Sequence, residues 1–299
     1  MRRHSSGFTL LELALVLLVI TVLLGGLAVP FTRQIETRRI AETNKAMATI
    51  QDALVGYAMS HNCRCVYGST PSGGLYSLDT ANSTCNASAC PSTSASGQPV
   101  IHPYLPCPAD ATSNGLEDRP VGGGACAIPS NGINGHVGWL PWATLGVPET
   151  DAWGDRYAYD VYLPYADSTI GIDGSSPPAL SNAQPGQIYI CSAASGCLSN
   201  PTSPSYVAPQ VPAVVISYGP DGQGSFSANN SQWAVTPNQP SAPDEYLNAT
   251  YNGSSNYRGY VSHPPTEAGS ASGQFDDLVT WLSWPALVNR VCPAGGCSP

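Results

Sequence analysis

The pattern of hydrophobic and polar positions divides the chain into an apolar N-terminal segment and a long polar remainder. Residues 8–31 are apolar apart from Glu12 and two threonines. As an α-helix this segment would be about 36 Å long, which exceeds the roughly 30 Å hydrocarbon core of a bilayer. The leader before it, residues 1–7, is short and polar. The pattern therefore predicts a transmembrane helix over residues 8–31.

The helical pattern continues beyond this segment to about residue 60. Apolar side chains recur there at spacings near three and four residues, at Ile40, Met47, Ile50, Leu54, Tyr57 and Ala58. Such spacing places them along one face of a helix. We therefore predict one long helix over residues 8–60, whose second half packs its apolar face beneath a globular head.

Residues 61–299 alternate short strand-like runs with long polar stretches. Strand patterns occur at 157–162, 187–191 and 213–218, and an acidic segment that contains Trp281 follows at 274–283. Two polar stretches, 61–135 and 225–273, are predicted to be irregular insertions. The predicted fold is α+β: the long helix packs on an antiparallel sheet, and disulfides hold the long loops.

The charge of the head argues against one class of function. Charged residues make up only 10% of the chain, and its net charge is −9. From Cys63 onward there are five arginines against sixteen acidic residues. Binding to nucleic acid normally requires a basic patch, because neutralisation of phosphates supplies much of the affinity. We therefore expect no nucleic-acid partner, whereas acidic loops are compatible with a divalent cation.

Ten cysteines all follow the apolar segment, at Cys63, Cys65, Cys85, Cys90, Cys107, Cys126, Cys191, Cys197, Cys292 and Cys297. Their even number indicates disulfides in an oxidising compartment. Pairing of sequence neighbours would give Cys85–Cys90, Cys107–Cys126, Cys191–Cys197 and Cys292–Cys297.

The partners of Cys63 and Cys65 stay open, because these two residues are too close in sequence for an easy bond. A link from them to the loop at 85–90 is one alternative. A metal site with His61 is another, although the chain lacks the repeated C-x₂₋₄-C pairs of structural zinc sites.

Glu12 is the unusual residue of the apolar segment. A charge within a membrane helix costs about 2.5–3.5 kcal/mol even on a lenient scale, so an intramembrane acid indicates a function. It follows a small residue in the run Gly7-Phe8-Thr9-Leu10-Leu11-Glu12-Leu13. This run, followed by the apolar helix, resembles the type IV pilin and pseudopilin family.

That resemblance implies how the N-terminus is processed and used. A prepilin peptidase would cut between Gly7 and Phe8 on the cytoplasmic side, and the new amine of Phe8 would be methylated. The helix would then form the core of a filament, where the Glu12 carboxylate of one subunit pairs with the Phe8 amine of another. A paired buried charge is tolerable where a lone one is not. The alternative is that Glu12 only reaches the membrane interface.

The head also resembles the major pseudopilin of type II secretion, through three motifs in the same order. They are Asp151-Ala152-Trp153-Gly154-Asp155-Arg156-Tyr157, then Ser217-Tyr218-Gly219-Pro220-Asp221-Gly222, then Asp276-Asp277-Leu278-Val279-Thr280-Trp281. The resemblance implies a calcium site between the last strands, with Asp221 and Asp276 as ligands and Asp277 as a third candidate. Carboxylates in Gly-rich turns suit calcium, which takes six to eight oxygens. Alternatively, Asp221 only fits a turn and Asp276 only caps the tail.

Catalytic motifs do not stand out. The single lysine, Lys45, lies on the long helix, so the head has no lysine for a P-loop or a Ser-x-x-Lys site. The sequence contains neither a Gly-x-Ser-x-Gly elbow nor a His-Glu-x-x-His pattern. We therefore predict that the chain is not an enzyme.

The resemblance as a whole implies a structural subunit, either a pseudopilin or a minor pilin. It would polymerise through its helix into a type II secretion pseudopilus or a type IV pilus. Its partners would be other pilin or pseudopilin subunits, the prepilin peptidase and the inner-membrane assembly platform. Before assembly it would cross the bacterial inner membrane once, with the head in the periplasm. The alternatives are a glycan-binding adhesin at a pilus tip and a membrane-anchored periplasmic hydrolase.

Overall fold

A computed structural model describes most of the helix and the strands of the head. The described residues are 9–68, 75–78, 100–110, 114–120, 123–127, 137–168, 170–172, 187–195, 197, 206–229, 242–250, 257–271, 273–292 and 297, without the side chains of 22–32, 63–68, 75–78, 100–101 and 257. The predicted cleavage positions Gly7 and Phe8 lie outside this set, as do Cys85, Cys90 and the side chains of Cys63 and Cys65.

The predicted long helix is present as α1, Leu10–Ser60. The chain forms two compact units that divide within this helix, between Glu42 and Thr43. In the first unit the apolar side chains from Leu10 to Ile20 are largely exposed, and Leu10 itself is 91% exposed. Among the side chains that the structure describes, no helix offers a stretch long and apolar enough to cross a membrane.

In the second unit, the last turns of α1 bury one face. The buried residues Met47, Ile50, Leu54 and Ala58 follow the spacing that the sequence predicts. They share a core with strand residues of a four-stranded sheet and with helix α5, Trp284–Val291. Burying one such large apolar side chain contributes about 1.5–3 kcal/mol, so this face holds the helix against the head.

The four-stranded sheet is antiparallel and has the order β10-β8-β5-β4. Its strands are β4 (Val137–Trp139), β5 (Ala158–Val161), β8 (Ala213–Ser217) and β10 (Leu278–Leu282). Two short helices flank β5, namely α2 (Trp142–Leu145) and α3 (Leu163–Ala166). Strands β5 and β8 lie where the sequence patterns predict strands, whereas β4 was not predicted and the predicted strand at 187–191 belongs to another sheet.

A second sheet departs from the prediction. It has the order β7-β6-β9, with β6 (Gln187–Cys191), β7 (Tyr206–Ala208) and β9 (Tyr257–Val261). Strands β6 and β9 are parallel, so the head is not purely antiparallel as expected. Parallel strands need a long crossover, and here the chain passes through β8 of the first sheet and helix α4 (Pro243–Thr250) before it returns.

The two predicted irregular insertions therefore contain regular structure, which corrects the prediction. Residues 225–273 include α4 and β9. Within 61–135, strands β1 (Asn62–Gly68), β2 (Leu75–Leu78) and β3 (Val100–Pro103) form an antiparallel sheet of order β2-β1-β3. The polar composition of these stretches conceals the alternation on which strand prediction depends.

Three disulfides join neighbouring cysteines, as neighbour pairing predicts. They are Cys107–Cys126, Cys191–Cys197 and Cys292–Cys297. Three of these cysteines, Cys107, Cys191 and Cys197, are fully buried. A disulfide stabilises mainly by restricting the unfolded chain, so these bonds support a head with many loops.

A buried ion pair connects the four-stranded sheet to the sheet of β6, β7 and β9. The guanidinium of Arg258, on β9, makes two hydrogen bonds to the carboxylate of Asp160, on β5, at 2.5 and 2.6 Å. The hydroxyl of Tyr260 donates a third hydrogen bond to Asp160 at 2.6 Å. Asp160 is 1% exposed and Arg258 is 5% exposed. The pair therefore fixes β9 against the main sheet.

We predict that Arg258→Leu lowers the free energy of unfolding by about 3–5 kcal/mol, because Asp160 would remain buried without its cationic partner. Urea denaturation of the purified protein measures this change. Arg290→Ala is the matched control, since its ion pair with Asp52 is exposed and should contribute no more than about 1 kcal/mol. Equal losses in the two variants would contradict the prediction.

Candidate functional site

The N-terminal end of α1 is closed by its own side chains. Thr9 precedes the helix, and its backbone N–H donates to Oε2 of Glu12 at 2.9 Å. The Thr9 hydroxyl also donates to Oε2, at 3.1 Å, and accepts from the backbone N–H of Glu12 at 3.3 Å. This reciprocal arrangement is a capping box, which satisfies otherwise unpaired groups of the first helical turn. In the single chain, the carboxylate of Glu12 therefore has a local partner.

A second candidate site lies where three segments of the head meet. Asp221 lies in the turn that follows β8, Asp276 lies just before β10, and Glu245 lies in the first turn of α4. One carboxylate oxygen from each residue lies within 4.8 Å of the other two. We call this group of Asp221, Glu245 and Asp276 the carboxylate cluster.

Local backbone geometry brings two of the three segments together. Gly219 has a φ of 64°, a left-handed conformation that glycine adopts without steric cost. A Cβ atom at this position would lie 2.7 Å from Oδ1 of Asp276, so only glycine allows the turn to approach so closely. Next to Asp221, the backbone N–H and the side-chain amide of Gln223 donate to its carboxylate at 3.1 and 3.0 Å.

Glu245 is the most strongly perturbed member of the cluster. It is 2% exposed, and its Oε1 accepts a hydrogen bond from the backbone N–H of Asp276 at 3.0 Å. Its Oε2 is buried and has no hydrogen-bond partner among the described residues. Burial, followed by the negative charges of Asp221 and Asp276, raises the pKa of Glu245 to about 8. The cluster thus concentrates negative charge around a buried oxygen that lacks a donor.

The structure places Asp277 elsewhere. Its Oδ2 accepts a hydrogen bond from Nδ2 of Asn248 at 2.8 Å, and the side chain is only 5% exposed. Burial raises the pKa of Asp277 well above its ordinary value. Successive residues of an extended segment point to opposite sides, which separates Asp277 from Asp276. Of the three predicted ligands, only Asp221 and Asp276 come together.

Sequence reasoning missed Glu245 because it treated residues 225–273 as an irregular insertion. A signal for it exists in the run Pro243-Asp244-Glu245. Proline at the first helical position and acids in the first turn are typical of a helix start. This signal predicts α4, but it does not predict which carboxylates α4 would meet.

The cluster fits a hard cation. All three of its side-chain donors are carboxylates, and Ca²⁺ or Mg²⁺ takes oxygen ligands, whereas structural zinc sites favour sulfur and nitrogen. The orphaned Oε2 of Glu245 is the observation that favours such an ion, because a buried polar atom normally has a partner. A bound cation would compensate the mutual repulsion of the three carboxylates.

His263 and Asp244 form a histidine–carboxylate pair in the described part of the head. Nε2 of His263 lies 3.1 Å from Oδ2 of Asp244, and its Nδ1 lies 2.7 Å from the carbonyl oxygen of Pro264. A histidine that activates a serine needs one nitrogen directed at the hydroxyl. Here both nitrogens are occupied, so this geometry provides no general base.

The N-terminal segment matches a known family model. The prokaryotic N-terminal methylation motif matches residues 2–28. The chain therefore carries the signature of the prepilin-type segments of type IV pilins and pseudopilins, and the resemblance inferred from residues 7–13 is confirmed. No curated protein and no solved structure matches the chain. The motif supports a pilin-like protein in general and favours a structural over a catalytic role.

The raised pKa of Glu245 predicts a pH dependence of stability. Between its ordinary value of 4.5 and about 8, the folded state binds more protons at Glu245 than the unfolded state does. Stability should therefore fall as the pH rises through this window. With a chelator present, the melting temperature should decrease from pH 5 to pH 8, and Glu245→Gln should flatten that decrease.

Glu267→Gln is the control for this experiment, since it removes an exposed acid. It should retain the slope of the unchanged protein. If Glu245→Gln also retained the full slope, the burial of a protonated Glu245 would be refuted.

Proposed function

We propose that the chain is a filament subunit, a pseudopilin or minor pilin, which polymerises through its N-terminal helix. The observation that carries this proposal is the methylation motif at residues 2–28, which leads directly into the long helix α1. In this proposal a prepilin peptidase removes residues 1–7, and the inner-membrane assembly platform extracts the subunit. The three head motifs that resemble the major pseudopilin favour a type II secretion pseudopilus over a type IV pilus.

The exposed apolar side chains of α1 support this assignment. From Leu10 to Ile20 the helix presents apolar side chains on all sides, and several of them are more than half exposed. A helix that is hydrophobic all round is normally buried in a large core or in a membrane. We infer that the bilayer covers residues 8–31 before assembly and that neighbouring helices cover them in the filament. The head then remains on the periplasmic side.

Glu12 has two successive partners in this proposal. In the single subunit it accepts hydrogen bonds from Thr9. After cleavage, the amine of Phe8 carries a positive charge, and a neighbouring Glu12 is its natural partner in an apolar surrounding. The pairing would set the axial register between subunits, because only one displacement brings the two groups together.

We further propose that the carboxylate cluster binds calcium and thereby stabilises the head. Asp221, Glu245 and Asp276 would supply three of the oxygens, and backbone carbonyls or water would supply the others. Each carboxylate comes from a different segment, so one ion would join the turn after β8, the helix α4 and the start of β10.

The assembly role of Glu12 predicts a selective defect. Glu12→Ala should leave cleavage before Phe8 intact but reduce the amount of subunit in sheared filaments at least tenfold, because the charge of Phe8 would lose its partner. Mass spectrometry of the N-terminus measures cleavage, and immunoblotting of the filament fraction measures assembly. Glu42→Ala, which removes an exposed acid from the same helix, should assemble normally. Normal assembly of Glu12→Ala would argue against the register role.

The calcium proposal predicts stabilisation by the ion. At a hundredfold excess over the dissociation constant, calcium should contribute about 2.7 kcal/mol, which corresponds to a rise in melting temperature of about 5–10 °C. Asp221→Asn and Asp276→Asn should each remove most of this rise. Asp52→Asn, which alters an exposed acid on α1, should keep it. An equal melting temperature with calcium and with chelator would contradict the proposal.

A further inference from the structure

A disulfide-closed loop lies against the helix that carries Glu245. Cys191 is the last residue of β6, and its bond to Cys197 closes a loop around Ala194. The backbone N–H of Cys197 donates to the carbonyl oxygen of Ala194 at 3.1 Å, so the loop turns back on itself. The backbone N–H of Ala194 donates to Oδ1 of Asp244 at 2.6 Å.

Asp244 connects this loop to the segments that carry Glu245 and Asp276. It precedes Glu245 in the first turn of α4 and is 2% exposed. Its other oxygen, Oδ2, pairs with Nε2 of His263 at 3.1 Å. The ring of His263 packs on the ring of Phe275 with 3.9 Å between centroids, and Phe275 directly precedes Asp276. Asp244 is therefore linked to Glu245 through the first turn of α4, and to Asp276 through His263 and Phe275.

Helix α4 depends on such contacts for its position. It has only eight residues, and an isolated helix of this length is not stable in water. At its far end, Asn248 makes hydrogen bonds of 2.7 and 3.0 Å to the backbone N–H and carbonyl of Val261. At its beginning, Asp244 makes the contact to the disulfide loop. Losing that contact would leave the first turn, and with it Glu245, free to shift.

We propose that the Cys191–Cys197 loop is a positioning element for the cation site, and that it acts through Asp244. The inference rests on the proposed calcium site. The disulfide-closed loop offers a fixed N–H group at Ala194, this N–H fixes the Asp244 carboxylate, and Asp244 fixes the helix turn that presents Glu245. Groups that orient metal ligands in this indirect way typically change metal affinity by about 10- to 100-fold when they are removed.

A double-mutant cycle on the full-length protein tests this proposal. Calcium affinity is measured by titration calorimetry at a temperature at which circular dichroism shows every variant to be folded. The double variant Cys191→Ser/Cys197→Ser and the single variant Asp244→Ala should each weaken calcium binding by about 10- to 100-fold. Combining them should cause little further loss, because residues that act through one contact are not additive.

Two further variants separate positioning from charge and from global stability. Asp244→Asn loses the charge but retains an oxygen that accepts from Ala194, so its affinity should exceed that of Asp244→Ala. Cys107→Ser/Cys126→Ser removes a disulfide that closes a longer loop. It should lower the melting temperature at least as much as Cys191→Ser/Cys197→Ser does, yet leave calcium affinity unchanged.

The outcomes distinguish this inference from the calcium site itself. If the unchanged protein does not bind calcium, the cation site is refuted and the positioning role with it. If it binds calcium and Cys191→Ser/Cys197→Ser binds equally well, only the positioning role is refuted. A fold loss in the combined variant equal to the product of the separate fold losses would also overturn it, since the loop and Asp244 would then act independently.

Discussion

The docking of α4 is the constraint on which the second half of the head depends. Within two helical turns, this helix bonds through Asp244 to the loop at Ala194, through Glu245 to Asp276, and through Asn248 to β9. These partners are far apart in sequence, and the helix is too short to be stable without them. The second sheet, the carboxylate cluster and the approach to β10 therefore form together. A segment with the composition of a surface loop is in fact the element that joins them.

Buried acids in this head meet the cost of desolvation in different ways. The carboxylate of Asp160 is compensated by hydrogen bonds from Arg258 and Tyr260. Burial raises the pKa of Asp277 well above its ordinary value, and Nδ2 of Asn248 donates a hydrogen bond to its carboxyl group. The third buried acid, Glu245, has a pKa of about 8, which leaves it partly protonated near neutral pH. A cation near Glu245 would lower the pKa of its carboxyl group, because a positive charge favours the ionised form. Stability and cation binding are therefore linked at this residue.

Local patterns predicted the elements that depend on local interactions. The turn at Gly154 and the alternation after it indicate β5, and the spacing from Met47 to Ala58 indicates the buried face of α1. The disulfides follow from proximity in sequence. The parallel pairing of β6 with β9 has no local signature, because it depends on the chain passing through β8 and α4 first. Glu245 was missed for the same reason, since its position beside Asp221 and Asp276 depends on where α4 docks. The side chain of Asp277 is engaged by Asn248 instead.

The N-terminal cap and the proposed filament contact use the same carboxylate, and this connects folding to assembly. In the single chain, Glu12 closes the first turn of α1 through the N–H and hydroxyl of Thr9. A cap of this kind contributes only about 0.5–2 kcal/mol, whereas a charged amine left unpaired in an apolar environment costs several. Replacing the contact of Glu12 with Thr9 by the proposed pairing with Phe8 is therefore favourable only where a neighbouring subunit brings its Phe8 amine within reach. In the proposed assembly, the cap would satisfy the carboxylate until that contact forms, so the first turn of the helix would remain intact while Glu12 stays available.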